Sequence, residues 1–235
     1  MPPGPELVQF IDDPAVAAWA PVVTSAIGSI RLGLLDLLAR EAPAEREPLA
    51  RAKPPAAGER MSVAFALQTL AGVRDAHSIV VEEAPSSRSA MQQHLPMLHS
   101  ETFFTMCSGG LGHSLPAAVG VALAKPGARV IALLGDGSAM YSIQALWSAA
   151  QLQLPITVIV LKNRRYAALQ EFGAVFGYGP GDTVAGTELP DLDFVALAAG
   201  HGMKGVRVNE AGELRDVLAA ALQSTGPVLV EIEVA

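Results

Sequence analysis

Three short stretches of this chain combine residue types that can do chemistry. Gly135-Asp136-Gly137-Ser138 follows an apolar run at residues 130–134. Such a turn exposes backbone N–H groups and offers one carboxylate to a cation, although Gly-Asp-Gly is also an ordinary tight turn. At a distance of 27 positions from Asp136, a second apolar run at 156–161 ends in Lys162-Asn163-Arg164-Arg165-Tyr166. Carboxylate, amide oxygen and backbone carbonyl form the hard-oxygen set that Mg²⁺ prefers, with phosphate oxygens and water completing an octahedron. Taken alone, Asn163 reads as a polar strand-end cap. Upstream, Gly109-Gly110-Leu111-Gly112-His113-Ser114 runs into a helical pattern from Leu115. A glycine-rich loop that feeds a helix N-terminus lets a ligand come close to the backbone. Its spacing is not that of the dinucleotide fingerprint GxGxxG, and a tight connection needing positive φ is the plain alternative.

These stretches need a scaffold that brings them to one edge. Runs rich in Val, Ile and Leu at 78–81, 130–134, 156–161, 204–208 and 227–234 mostly lack polar alternation and read as strands buried on both faces. Helical patterns lie between them at 62–70, 115–124, 142–152, 194–199 and 213–222. The alternation predicts an α/β domain with a mostly parallel, Rossmann-like sheet and helices on both faces. Ligands of such sheets bind beyond the carboxyl ends of the strands. Asp136 and Asn163 fall there, on consecutive strands. Residues 173–190 carry five glycines with Pro180 and Pro190, and an irregular stretch of this length reads as a lid or binding loop.

The first 60 residues differ. Residues 7–11 read as a strand and 22–40 as a helix, together too small for a core. Residues 41–60 carry Pro43, Pro48, Pro54 and Pro55 among charged residues and alanines, the composition of a linker. This organisation predicts the tail of an upstream domain at 1–40, a linker at 41–60 and the sheet domain at 61–235. An N-terminal arm packed on the main sheet is the alternative.

Composition removes several function classes. Hydrophobic residues make up 51% and charged residues 17% of the 235, so a substantial core is available and wholesale disorder is excluded. Sixteen Lys and Arg against 23 Asp and Glu give a net charge of −7, which argues against gripping nucleic acid or an anionic membrane through bulk charge. No apolar run approaches the about 20 residues of a membrane span. Met1-Pro2-Pro3-Gly4-Pro5-Glu6 lacks the basic and apolar regions of a signal peptide, and a cytoplasmic location is the expectation. The single Cys107 excludes an internal disulfide and CxxC metal spacing, and no His is paired with it for nucleophilic work.

Gly135-Asp136-Gly137 followed by Asn163 resembles the thiamine diphosphate (ThDP) motif, although Lys162 stands where most members of that family carry a first Asn. Gly109-Gly110-Leu111-Gly112 with Leu115-Pro116-Ala117-Ala118-Val119-Gly120 matches as well, and so does Tyr141-Ser142-Ile143-Gln144-Ala145-Leu146-Trp147. The chain is similar to the ThDP-dependent decarboxylases, closest to the diphosphate-binding C-terminal domain of the benzoylformate decarboxylases within the pyruvate decarboxylase and acetolactate synthase superfamily. The similarity covers 61–235, and more loosely 7–38, where the Asp13-Pro14 turn resembles the end of the family's central domain and implies that 1–40 is its C-terminal remnant.

The resemblance implies a set of roles. Asp136 and Asn163 would bind Mg²⁺ through their side chains and Arg165 through its carbonyl. Gly137, Ser138, Tyr166, Ser86 and Ser87 would hold the diphosphate. The Gly109 carbonyl would accept from the 4′-amino group of the aminopyrimidine, and Leu111 would be the apolar wedge that keeps the cofactor bent. Each has a plainer alternative: Leu111 as core filler, the serines as a helix N-cap, Tyr166 as packing. Thr105 lies where the benzoylformate enzymes carry an aromatic substrate contact, and Phe172 is a second candidate for the substrate pocket or for the core. His113, directly after the glycine loop, reads as packing or surface, with a catalytic role as the alternative. The implied activity is decarboxylation of a 2-oxo acid, the thiazolium holding the electron pair as CO₂ leaves. The family's catalytic glutamate belongs to a separate pyrimidine-binding domain, on the same or another chain of a homo-oligomer, and Glu82 and Glu83 do not replace it. An acetolactate-synthase-like carboligase fragment and a non-catalytic ThDP-binding module are the alternatives.

Overall fold

The structure is a computed structural model that describes residues 7–20, 24–41, 44, 61–97, 99–179 and 182–235. The chain divides into two compact units, residues 1–50 and 51–235. In the first, β1 (Val8–Ile11) pairs in parallel with β2 (Thr24–Ile27). The single turn α1 (Pro14–Ala17) lies between them, with the Asp13 carboxylate accepting from Ala15 N at 2.8 Å and Pro14 at its first position. α2 (Ile30–Leu38) follows, with Ser29 as its N-cap.

The helix expected over 22–40 is therefore divided. Residues 24–27 are strand, because Thr24 to Ile27 complete a ladder with β1, and Gly28-Ser29 separates ladder from helix. Residues 22 and 23 lie outside the described residues. So does the expected linker at 41–60, apart from Glu41 and Ala44.

The second unit begins with α3 (Val63–Val73), whose Ser62 cap accepts from Phe65 N at 3.1 Å. β3 (Ile79–Glu83), the 3-10 turn Pro85–Ser87, α4 (Arg88–His94) and β4 (Phe103–Thr105) follow, then α5 (Ser114–Ala124), β5 (Val130–Gly135), α6 (Asp136–Met140), α7 (Ala145–Gln151) and β6 (Ile156–Lys162). α8 (Ala167–Gly173), the 3-10 turn Ala174–Phe176, α9 (Phe194–Gly200), β7 (Lys204–Val208), α10 (Ala211–Gln223) and β8 (Val228–Glu233) complete it. The strands form one sheet in the order β4-β3-β5-β6-β8-β7, and every pairing is parallel. Alternate strand residues feed two cores. Val81, Ala132, Leu134, Val158 and Val160 pack with α5, α7 and α9 on one face. Val80, Ile131, Leu133, Ile159 and Val230 pack with α3, α4 and α10 on the other. Both faces are thus covered, as unalternated apolar strands require. Among the described residues no helix is long and apolar enough to cross a membrane.

Candidate functional site

β3 and β5 are neighbours, yet the chain leaves β3 for β4 at one sheet edge and leaves β5 for β6 toward the other. Their carboxyl ends therefore flank a crevice at a topological switch point, the usual ligand site of an open parallel sheet. A cavity of about 460 Å³ lies there. Pro85 and Ser86 line it from the turn after β3, Gly109 and Leu111 from the loop before α5, and Gly135 to Ser138 from the β5–α6 junction. Tyr141, Arg165 to Leu169 and Gly186 complete the wall.

Asp136 is not in a tight turn, as the sequence suggests. Gly135 ends β5 and caps α6, and Asp136 is the first residue of that helix. Its side chain is 3% exposed. Oδ1 accepts from Gly137 N at 2.8 Å and Oδ2 from Arg164 N at 2.6 Å, which ties β5 to the end of β6. Burial raises the pKa of this carboxyl, while backbone donors from Gly137, Arg164 and Asn163 pull it back in part. Among the described residues no cation is paired with it. A buried carboxylate without a counter-ion, walled by glycines and backbone, suits a bound divalent cation.

Gly137 has no room for a side chain. A Cβ there would lie 2.3 Å from the Tyr166 ring. Burial raises the Tyr166 phenol pKa, and the neighbouring Tyr141 adds to the shift. Tyr166 N also donates to Thr187 O at 2.7 Å, and Leu189 N donates to Arg164 O at 2.8 Å. Both bonds tie the far end of the 173–190 stretch to the cavity wall that Gly186 joins.

The remaining candidates sit apart from the cavity lining. Asn163 lines a neighbouring cavity of about 490 Å³ that shares Arg165 with the first, and its Oδ1 accepts from Arg165 N at 3.1 Å. Ser87 is buried in the 3-10 turn behind Ser86, its N–H donating to Ala84 O. The Thr105 hydroxyl donates to Glu82 Oε2 at 2.8 Å. Phe172 lies on α8, 55% exposed, with its ring edge-on to Phe176 at 5.6 Å. His113 is an exposed residue at the α5 N-terminus.

Two features escaped the sequence reading. Lys162 is a buried ion-pair member: its Nζ donates to Glu231 Oε1 at 2.9 Å and to Leu192 O at 2.6 Å. Glu83, at the end of β3, accepts from the N–H groups of Gly112, His113 and Ser114 at 2.6, 2.9 and 2.7 Å. The anion at the α5 N-terminus is therefore a side chain of the protein itself. The available signal was two carboxylates closing an otherwise apolar strand.

Residues 85–232 match the family described as thiamine pyrophosphate enzyme, C-terminal TPP binding domain. The chain is 40% identical over 238 aligned residues to benzoylformate decarboxylase of Pseudomonas aeruginosa, which covers 99% of this chain and 44% of that protein. It is 34% identical over 161 residues to the mitochondrial acetolactate synthase catalytic subunit of Saccharomyces cerevisiae, covering 67% of this chain and 23% of the relative. Among solved structures, a ThDP-dependent 4-hydroxybenzoylformate decarboxylase from Rhodococcus jostii RHA1 superposes with a TM-score of 0.87 at 34% identity, covering 100% of this chain and 45% of that one. The chain thus spans less than half the length of these relatives. The match over 85–232, on a parallel sheet whose switch-point cavity gathers Asp136, Gly137, Ser138 and Tyr166, makes this chain a member of the thiamine pyrophosphate enzyme family, carrying its C-terminal TPP-binding domain.

Proposed function

We propose that this chain is the diphosphate- and Mg²⁺-holding half of a ThDP-dependent 2-oxo-acid decarboxylase of the benzoylformate decarboxylase kind. A pyrimidine-binding domain, on the same or another chain of a homo-oligomer, completes the site. The observation that carries this reading is the convergence of Ser86, Gly109, Leu111, Asp136, Gly137, Ser138, Arg165 and Tyr166 on one switch-point cavity.

When bound, ThDP supplies a carbon nucleophile at C2 and a thiazolium that takes up the electron pair as CO₂ leaves. The residues of this chain bind and orient. Asp136 and Asn163, with the Arg165 carbonyl, would hold Mg²⁺ against the diphosphate. Gly137, Ser138, Ser86 and Tyr166 would hold the diphosphate itself, while Ser87 acts from behind by fixing the turn. The Gly109 carbonyl would orient the aminopyrimidine, and Leu111 would support the bent cofactor and keep water from it. Thr105 and Phe172 are proposed for the substrate side, beyond the cofactor.

Mixing this chain with the complementary N-terminal portion of the Pseudomonas relative, Mg²⁺ and ThDP tests the reading. CO₂ release from benzoylformate or pyruvate is expected, with no acetolactate accumulating. Acetolactate as the main product from pyruvate would favour the carboligase reading instead. Absence of both products, with both polypeptides folded, would remove the enzymatic reading.

A further inference from the structure

We propose that Glu83 is the positioning residue of the cofactor site, holding the Gly109–Leu111 wall in place through the backbone of Gly112, His113 and Ser114. The proposal rests on the reading of the switch-point cavity as the ThDP site.

β3 closes on two consecutive buried carboxylates, Glu82 and Glu83, and a buried charge is tolerated only when it is compensated. Glu82 has a cation: its carboxylate accepts from Arg88 Nε at 3.3 Å, as well as from Ala84 N at 2.6 Å and the Thr105 hydroxyl. Among the described residues Glu83 has none. It is 4% exposed, and its compensation is the N-terminus of α5, an 11-residue helix whose free N–H groups and dipole favour an anion. Oε1 takes the Gly112 N–H, and Oε2 takes those of His113 and Ser114. With this internal carboxylate in place, those three donors are not available to a phosphate group.

The consequence is mechanical. Across residues 106–112 no backbone–backbone hydrogen bond is made among the described residues. The bond from Gly112 N to Glu83 is the only side-chain hydrogen bond there among those residues. Gly109 and Leu111, which line the cavity, thus hang between the end of β4 and one carboxylate. Gly109 and Gly112 have φ of +74° and +94°, a backbone path that only a glycine follows freely, so the loop has its shape from glycine and its anchorage from Glu83. Glu83→Gln keeps the volume but removes the charge and turns an NH₂ group toward backbone donors.

Calorimetric titration of the whole chain with two probes separates anchoring from positioning. Mg²⁺ with inorganic diphosphate reports only the metal and diphosphate anchor around Asp136; Mg²⁺ with ThDP adds the rings that would meet Gly109 and Leu111. Glu83→Gln is expected to leave diphosphate affinity within about two-fold and to weaken ThDP about ten-fold, the scale of one charge-assisted hydrogen bond. Equal weakening of both probes, or of neither, would overturn the proposal. Failure of the parent chain to bind either probe would instead count against the cofactor reading, and amide hydrogen exchange then decides the role of Glu83. In the parent without cofactor, the amides of Gly112, His113 and Ser114 should be strongly protected, and in Glu83→Gln they should exchange faster while β5 is unchanged. Exchange of those amides in the parent at the rate of exposed loops would refute the anchorage even if the variant failed to fold.

Discussion

Asp136 shows how much of the site is a local matter and how much is not. Its carboxyl is buried, and burial raises its pKa, so the surroundings disfavour the ionised form. A divalent cation removes that penalty, which couples binding to stability. In the parent chain, Mg²⁺ with ThDP should therefore raise the melting temperature. Asp136→Ala should abolish the shift and weaken Mg²⁺-dependent binding by more than about ten-fold, since even outer partners of a metal are worth about 10–100-fold. Calorimetry showing an unchanged Mg²⁺ dependence would reject Asp136 as a ligand. This residue and its neighbours were legible in the sequence because their constraints leave a mark on residue type: Gly137 must stay bare beneath the Tyr166 ring, and Gly135 must end a strand and open a helix. Glu83 was not legible as an anchor. Its partners are backbone N–H groups 29 to 31 positions away, and a backbone donor leaves no mark on residue type.

At the scale of elements, the strands were read from their apolar runs, and the parallel pairing of the sheet from their alternation with helices. The failures are short or polar pieces. β4 has three residues, and α6 starts on a glycine-rich segment without helical patterning. Over residues 24–27, pairing with β1 overrode a helical pattern. Lys162 is the instructive case, because a polar residue ending β6 reads as solvent-facing and is instead 7% exposed. It meets Glu231 of β8, which also accepts from Arg207 Nε of β7 at 2.8 Å and from Phe194 N of α9 at 2.9 Å. Burial raises the Glu231 pKa, but the bonds from Arg207, Lys162 and Phe194 outweigh it and hold the carboxyl below its ordinary value. A depressed carboxylate contributes stability above its unfolded value of about 4.3 and loses it as pH falls through the folded value. Urea unfolding between pH 7 and 3 should show this loss in the parent and less of it in Glu231→Gln. Lys162→Met should cost about 3 kcal/mol at pH 7, the lower end for removing one partner of a buried pair, because Arg207 remains. A cost below about 0.5 kcal/mol, the range of an ordinary surface change, would show that the network does not secure the segment between the 173–190 stretch and α9.

For the whole molecule, the two units pose the same problem separately. In the first, no described residue is buried, and Trp19, Leu32, Leu34, Leu35 and Leu38 are all exposed, so a two-stranded sheet with α1 and α2 has not closed a core. In the second, the cavity wall continues through exposed Leu169 onto Phe172, Val175, Phe176 and Tyr178. Large apolar side chains grouped beside a ligand cavity mark a surface that another protein covers. This grouping could not be read in the sequence, where an aromatic on α8 is equally compatible with the core. It fits a site whose aminopyrimidine side belongs to another domain. The 235 residues alone, with Mg²⁺ and ThDP, should therefore self-associate and release no CO₂ from benzoylformate or pyruvate. Proton transfer by a positioned acid is typically worth about 10²–10⁴-fold, and water reaching an open site weakens the electrostatics that stabilise developing charge. Analytical sedimentation should show concentration-dependent oligomers that Phe172→Ser with Phe176→Ser disperses toward monomer. A parent chain that sediments as a single monomer and turns over either substrate without a second polypeptide would show that its half of the site is sufficient.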